Sequence, residues 1–225
     1  MRRHERTLVL SGLRSVAILV QIGMVVGCAT FPGGELQDPR PMALEPAGEE
    51  PTAYILPTFK TDLGTPVENT QALGVFKNAI EKATTTVGLF SEFTFEAYRA
   101  REMDYIVKLE MTNSADIGSA MLAGFITGLT LFVIPSYATD VYSLRAEVLN
   151  QNDEQLATYS LDSFVRTWFG IWLLPAAGRS PRKEVPLHLE RMVANAYGQF
   201  LESGIFGVFR SASAPPSPAR DEDPQ

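Results

Sequence analysis

The chain has 225 residues, of which 26 are acidic and 19 are basic, so its formal net charge is −7. An acidic surface repels a phosphate backbone, and this balance argues against a nucleic-acid partner. Cys28 is the only cysteine, so no disulfide can form within the chain and the fold must rest on its apolar core.

The N-terminal segment has the layout of a secretory signal peptide. Four arginines precede an apolar run from Val16 to Gly27, which is interrupted only by Gln21, and Cys28 follows directly. The run has about a dozen residues, whereas a transmembrane helix needs about twenty, so cleavage after the small residue Gly27 is expected. Removal of residues 1–27 leaves 15 basic and 25 acidic residues, a net charge of −10.

The residues around the expected cleavage site, Val25-Val26-Gly27-Cys28, resemble the lipobox of bacterial lipoproteins. In that family the cysteine thiol carries a diacylglycerol, the chain is cut before the cysteine, and the new amino group is acylated, typically with palmitate. Two or three acyl chains hold a protein stably on a membrane. Ala29, rather than an aspartate, follows Cys28, which in enterobacterial lipoproteins implies the outer membrane, facing the periplasm, in preference to the inner membrane. The alternative is an ordinary signal peptide with a chance cysteine.

Two segments are predicted to lie outside the folded domain. Residues 28–51 are rich in proline, glycine and acidic side chains, cannot bury much apolar surface, and are interpreted as a flexible linker behind the lipid anchor. Residues 211–225 contain four prolines and are interpreted as a disordered tail for the same reason.

Residues 52–210 are predicted to form one α+β domain, with a mostly antiparallel sheet, two main helices and an apolar helical insert. A strand is expected at 53–59, where Pro57 favours a sheet edge or an early stop. Alternating apolar and polar side chains predict a strand at 104–112 and a hairpin whose polar turn begins at Asn150. The other elements are a helix at 70–87, a short strand at 93–100, hairpin strands at 140–149 and 156–165, and a helix at 184–204.

The insert, residues 117–137, is the unusual part of the sequence. No charge stands between Asp116 and Asp140, and residues 117–134 are long enough for a membrane-helix candidate. Small residues recur at four-residue spacing and would give a smooth face for close helix packing, possible also between copies of the chain. These residues are Ala120, Gly124 and Gly128.

A second apolar patch covers residues 168–174. Trp168 and Trp172 lie near Arg166 and Arg179, a composition that suits a bilayer interface. Both apolar segments flank the predicted hairpin and are expected to emerge at the same end of it. Three interpretations stay open: core of the domain, segments that dip into the membrane beside the lipid anchor, or a surface for a partner protein or a second copy.

Catalytic chemistry has little support in the sequence. His188 is the only histidine after the leader, and its place in an amphipathic helix is typical of a surface or half-buried residue. The spacing of the glycines in the insert does not match a phosphate-binding loop. No cluster of histidines and carboxylates has the spacing of metal ligands, so neither a metal nor another cofactor is expected.

The order strand, helix, strand, strand over residues 52–112, with Asp104-Tyr105 opening the third strand, resembles small periplasmic α/β lipoprotein domains. Examples are the lipoprotein activators of penicillin-binding proteins and the curli secretion-channel lipoprotein. The resemblance implies a role through protein contact or assembly. The leading hypothesis is a lipid-anchored, non-enzymatic envelope lipoprotein that binds an envelope protein or supports assembly. The alternative is a membrane-inserting, oligomerising envelope component, and an envelope hydrolase comes third.

Overall fold

A computed structural model describes residues 27–41, 44–46, 51–115, 117–176, 178–206 and 209–211. Residues 1–26 and 212–225 lie outside the described residues, so the predicted signal peptide and most of the predicted tail stay predictions.

The main sheet contains seven of the nine strands in the described residues. These seven are β1 (Gly27–Gly33), β3 (Thr52–Asp62), β4 (Pro66–Glu68), β5 (Glu92–Thr94), β6 (Tyr105–Ala115), β7 (Ser136–Leu149) and β8 (Gln155–Gly170). Their order is β1-β8-β7-β6-β3-β4, and β5 also pairs with β3. Only the β3–β6 and β3–β5 pairings are parallel. The two remaining strands, β2 (Leu44–Pro46) and β9 (Phe209–Ser211), pair with each other.

Three α-helices accompany the sheet in the described part of the chain: α1 (Thr70–Val87), α2 (Ile117–Leu129) and α3 (Pro181–Glu202). Two short 3-10 helices cover Ala97–Glu102 and Ile171–Ala176. The predicted α+β class is confirmed. Helices α1 and α3 pack against each other and against one face of the sheet, and the buried side chains of both helices and of β3, β6, β7 and β8 form one core.

Local sequence signals explain the main elements. Asn69 caps α1, because its side-chain oxygen accepts a hydrogen bond from the amide of Ala72 at 2.9 Å. Gly88 ends this helix in the left-handed conformation, with φ at 68°. The predicted hairpin is confirmed as β7 and β8, and the side chain of Asn150 organises its turn by accepting hydrogen bonds from the amides of Asn152 and Glu154.

Strand β1 departs from the predicted linker over residues 28–51. Gly27–Gly33 forms seven register pairs with β8, from Gly27 opposite Gly170 to Gly33 opposite Phe164. The chain stays on the domain beyond this strand, since Asn195 of α3 donates a hydrogen bond to the carbonyl of Gln37 at 3.0 Å. Residues 28–51 cannot bury a core of their own, but their first residues pair with the edge of an existing sheet. Local composition does not reveal such a pairing, because the partner strand is distant in sequence.

Of the two alternatives at Pro57, the sheet edge is confirmed and the early stop is wrong, and the strand expected at 93–100 also needs correction. Strand β3 continues past Pro57 to Asp62 and has β6 along one side. Its outer side is paired only at Thr52–Tyr54 and Lys60–Asp62, so Pro57 falls where this side has no neighbour among the described strands. A residue without an amide hydrogen is tolerated at such a place. The strand expected at 93–100 is only β5, because the chain turns into a 3-10 helix at Ala97.

Candidate functional site

The apolar insert is mostly exposed, so the interpretation of it as core is wrong for these residues. Nine large apolar side chains of α2, of the following turn and of the second patch each expose at least 43% of their area. Isolated exposed apolar residues are ordinary, but a contiguous patch of this extent marks an interaction surface. We call this surface the apolar rim, and it comprises Met121, Leu122, Phe125, Ile126, Leu129, Leu131, Val133, Ile134 and Trp172.

Helix α2 ends well before the predicted limit at residue 134. The amide of Phe132 donates to the carbonyl of Thr127 at 2.8 Å, and the amide of Leu131 donates to that of Gly128 at 3.1 Å. These two hydrogen bonds form the helix-ending Schellman motif. In the part of the chain that is described, no helix is both long and apolar enough to cross a membrane.

Leu131 occupies the position of this motif that glycine normally takes. Its φ is 50°, and that of Phe132 is 63°, so both adopt a left-handed conformation that is costly for a side chain with a Cβ. Yet 77% of the Leu131 side chain is exposed, so burial in the domain does not repay this strain. Strain of this kind is typical of functional positions, where another requirement outweighs stability.

The two apolar segments meet at one end of the sheet, as the sequence predicts. The indole N–H of Trp172 donates to the carbonyl of Val133 at 3.0 Å, and the amide of Ile171 donates to the carbonyl of Phe132 at 3.2 Å. Trp172 is 68% exposed, so its ring faces outward while its only polar atom is satisfied within the protein. The rim therefore presents a wide apolar surface with its indole donor already bonded.

Cys28 lies at the same end of the sheet as the rim. It is opposite Phe169 in β8, and Phe169 is in turn opposite Ser136, the first residue of β7 after the rim. Neighbouring strands are about 4.8 Å apart, so the Cα atoms of Cys28 and Ser136 are separated by about 10 Å. The thiol is free and the residue is partly exposed. The candidate lipid-attachment residue thus lies at the same end of the sheet as the nine exposed apolar side chains of the rim.

Two arginines, Arg166 and Arg179, lie beside strand β1 and farther along the sheet from its end than the rim. The guanidinium of Arg166 lies 4.7 Å from the ring centroid of Tyr137 and 5.4 Å from that of Phe164, and that of Arg179 lies 5.3 Å from the ring of Phe31. Among the described residues neither arginine pairs with a carboxylate. The aromatic faces hold both cations in place without neutralising them.

The remaining predicted site residues are Trp168 and the small residues of the insert. Trp168 is half-buried in β8 and packs on Tyr137, with ring centroids 4.8 Å apart. Gly124 and Gly128 face open space, since a Cβ added to either would meet nothing within 4 Å. Close helix packing through these glycines and Ala120 does not occur within the described chain.

His188 is fully buried on α3, which corrects the expectation of a surface or half-buried residue. Its ring packs edge-on against Tyr142 of β7, with centroids 5.8 Å apart. Burial, followed by the nearby Arg191, lowers the pKa of His188 to about 4. Neither ring nitrogen has a hydrogen-bond partner in the described structure. Within the described residues no group of three or more histidine, cysteine or carboxylate side chains is placed to hold a metal ion.

Sequence reasoning missed Phe31, Leu131 and the docking of β1. The signal for β1 was short: Thr30 and Phe31 have the side chains that favour strands, but Pro32 and the two following glycines outweigh them in a local reading. For Leu131 no sequence signal exists, because only the backbone geometry reveals its left-handed conformation.

Gly34 fixes the far end of β1, and its replacement by alanine should loosen the strand. Its φ of 88° is unfavourable for alanine, and an added Cβ would lie 2.7 Å from the hydroxyl of Ser163, which donates to the carbonyl of Gly33. We expect Gly34→Ala to lower the free energy of unfolding by about 1–3 kcal/mol. Amide exchange of Ala29 and Phe31 should accelerate as well, since their N–H groups face β8 whereas that of Thr30 donates to the carbonyl of Arg179.

Gly64→Ala is the matched control for this strand. Gly64 also has a positive φ, 109°, but nothing lies within 4 Å of an added Cβ. This variant carries the backbone strain without the collision and lies far from β1. Faster exchange of Ala29 and Phe31 in Gly64→Ala, or unchanged exchange of both in Gly34→Ala, would contradict the proposed fixing of β1.

Comparison with known proteins leaves the family open. No family model and no curated protein matches the chain. A variant of PelC from Paraburkholderia phytofirmans, a dodecamer, aligns with 75% of this chain and 94% of its own at 12% identity and a TM-score of 0.27. A homolog of a neuraminyllactose-binding hemagglutinin from Helicobacter pylori aligns with 77% and 96% at 10% identity and a TM-score of 0.37. Likenesses this weak carry no argument about function.

Proposed function

We propose that this chain is a bacterial lipoprotein of the cell envelope, anchored through lipid on Cys28, that acts by binding a partner or supporting assembly and not by catalysis. The observation that carries the proposal is the place of Cys28. The lipobox residue lies in an edge strand, is partly exposed, and its Cα is about 10 Å from that of Ser136, two residues beyond the end of the apolar rim at Ile134. Acyl chains attached there leave the domain at the end that already presents apolar surface.

The non-enzymatic part of the proposal rests on what surrounds the candidate groups. His188, the only imidazole after the leader, is enclosed between α3 and the sheet and offers no substrate access. Four charged side chains on the sheet face opposite the helices form two pairs, Lys60 with Glu110 and Arg145 with Glu147. Such pairs are typical of a solvated surface. We place the protein on the outer membrane, facing the periplasm, because Ala29 follows Cys28.

The anchor can be tested by metabolic labelling with a palmitate analogue in a bacterial host. The wild-type chain should take up the label, and Cys28→Ser should lose it completely because the acceptor thiol is gone. Cys28→Ser should also keep its leader, which intact mass measurement detects as 27 additional residues.

A displaced cysteine provides the control for position. Leu63 is exposed at the same end of the sheet but lies outside the lipobox. The double variant Cys28→Ser with Leu63→Cys restores a thiol without restoring the motif, and it should stay unlabelled. Labelling of Cys28→Ser itself would show that the acyl group is elsewhere and would overturn the proposal.

A further inference from the structure

We propose that the apolar rim lies in the lipid layer beside the acylated Cys28, so that this end of the sheet forms a second membrane contact. The inference rests on the proposed lipid anchor and deepens it, because it names the lipid bilayer as the occupant of the rim. Three features of the described residues carry it: the short path from Cys28 to the rim, the absence of charge on the rim, and the position of two arginines just above it.

The first feature is that no flexible residues separate the proposed anchor, Cys28, from the folded domain. Cys28 is itself within β1 and lies opposite Phe169, the neighbour of Gly170. A Cβ added to Gly170 would approach the Cβ of Pro135 to 3.2 Å, so this corner of the sheet is in close contact with the end of the rim. Without a spacer, acyl chains on Cys28 bring the rim to the membrane surface with them.

The second feature is the chemistry of the rim. Its nine side chains are apolar, and the sequence from 117 to 139 carries no charge. The hydroxyl of Thr130 donates to the carbonyl of Ile126 at 3.0 Å, and the indole of Trp172 donates to that of Val133. Polar groups that are bonded internally avoid the large cost of an unpaired donor in hydrocarbon.

The third feature is the depth of the arginines. Phe31 is three residues beyond Cys28, which is about 10 Å along an extended strand. Arg179 lies over its ring, and Arg166 is opposite it in β8. The polar layer on each side of the hydrocarbon core is roughly 5–8 Å thick, so both cations lie near its outer boundary, within reach of lipid phosphates.

A bilayer suits the rim better than a protein partner or a second copy. The proposed lipid on Cys28 brings hydrocarbon to within about 10 Å of Ser136, beside the end of the rim, whereas a protein would have to enter the same narrow space beside the acyl chains. The strained, exposed Leu131 is consistent with this environment, since an apolar side chain there gains nothing in water.

The test uses the two tryptophans of the chain as depth probes. The full chain, processed in a bacterial host and purified in detergent, is reconstituted into vesicles of phosphatidylcholine and phosphatidylglycerol, with or without bromine on the acyl chains. In Trp168→Phe the only tryptophan is Trp172, and its emission is followed under excitation selective for tryptophan. Its fluorescence should be about two-fold or more lower in brominated vesicles, as for an aromatic side chain at the membrane interface.

The control places an equally exposed tryptophan at the opposite end of the sheet. Tyr98 is 78% exposed in the 3-10 helix that precedes the start of β6, whereas the rim lies beyond the end of that strand. The variant Trp168→Phe, Trp172→Phe, Tyr98→Trp should show equal emission in both kinds of vesicle. Far-UV circular dichroism confirms that each variant is folded.

The variant Leu131→Gly should stay folded, because glycine adopts the left-handed backbone conformation at this position without strain. In the Trp168→Phe background it should keep or raise the thermal midpoint and reduce the bromine quenching of Trp172. A rim that binds a second copy would instead shield Trp172 from aqueous acrylamide with no quenching by brominated lipid. That result, or equal quenching of Trp172 and of the tryptophan at 98, would overturn the inference.

This experiment distinguishes failure of the proposed lipid anchor from failure of the proposed membrane contact of the rim. Intact mass measurement of the same preparation reports whether Cys28 carries acyl chains. An acylated protein whose Trp172 is not quenched would overturn the rim contact and leave the anchor standing. An unacylated protein whose Trp172 is quenched would overturn the anchor and retain the membrane contact of the rim.

Discussion

Replacing Phe76 with alanine should lower the free energy of unfolding by about 3–5 kcal/mol, as for other fully buried phenylalanines. Phe76 lies on the inner face of α1 and is completely buried. Its ring packs edge-on against that of Phe59 in β3, with centroids 6.0 Å apart. The substitution leaves a cavity between the helix layer and the sheet that neither can close without shifting the rest of the core.

Val75→Ala is the matched control for Phe76→Ala, since the two residues are adjacent on α1. Val75 is 39% exposed, and its truncation should change stability by no more than about 0.5 kcal/mol. Urea denaturation followed by circular dichroism measures both variants. Similar losses at the two positions would show that α1 does not pack on the sheet as described.

Acidification should destabilise the domain through His188. Burial lowers its pKa to about 4 in the folded protein, against an ordinary value of 6.5 in the unfolded chain. Above pH 6.5 both states are neutral and the domain has its full stability. As the pH falls from 6.5 towards 4, the unfolded chain takes up the proton first, and the loss approaches about 3 kcal/mol at 1.36 kcal/mol per pKa unit.

His188→Phe isolates the contribution of the imidazole from other groups that titrate in acid. Among these, Asp140 has its pKa raised by burial, so its protonation acts in the opposite direction and relieves an unfavourable buried charge. The aromatic ring of the variant keeps the edge-on contact with Tyr142. Between pH 7 and pH 4.5, urea denaturation should show a smaller fall in stability for His188→Phe than for the wild type. Parallel pH profiles would mean that His188 is protonated equally easily in both states.

The elements that the sequence predicts well are those whose signals are local. Helix α1 follows from an apolar stripe between a capping asparagine, Asn69, and a terminating glycine, Gly88. The β7–β8 hairpin follows from alternation on both sides of a polar turn at Asn150. In each case the residues that specify the element are its own neighbours in sequence, so periodicity and turn chemistry are sufficient.

The parts that sequence analysis misses depend on distant partners. Strand β1 exists because β8, more than 130 residues away, offers an unpaired edge. The exposure of the insert could not be predicted either, because an uncharged apolar segment is equally compatible with a domain core, a membrane or a protein interface. The decisive fact is that α1 and α3 already fill the covered face of the sheet, which leaves α2 at its end with no core to enter.

The pairing of β1 also has a mechanical consequence. A pull on a lipid at Cys28, away from the domain, acts along the axis of the strand. The six register pairs with β8 that remain from Cys28 to Gly33, once the chain is cut before Cys28, then carry the force in shear, with their hydrogen bonds strained together and not opened one after another. A flexible tether would transmit tension without orienting the domain. Through β1, tension from the membrane side would be transmitted directly to β8 and would orient the domain relative to the membrane.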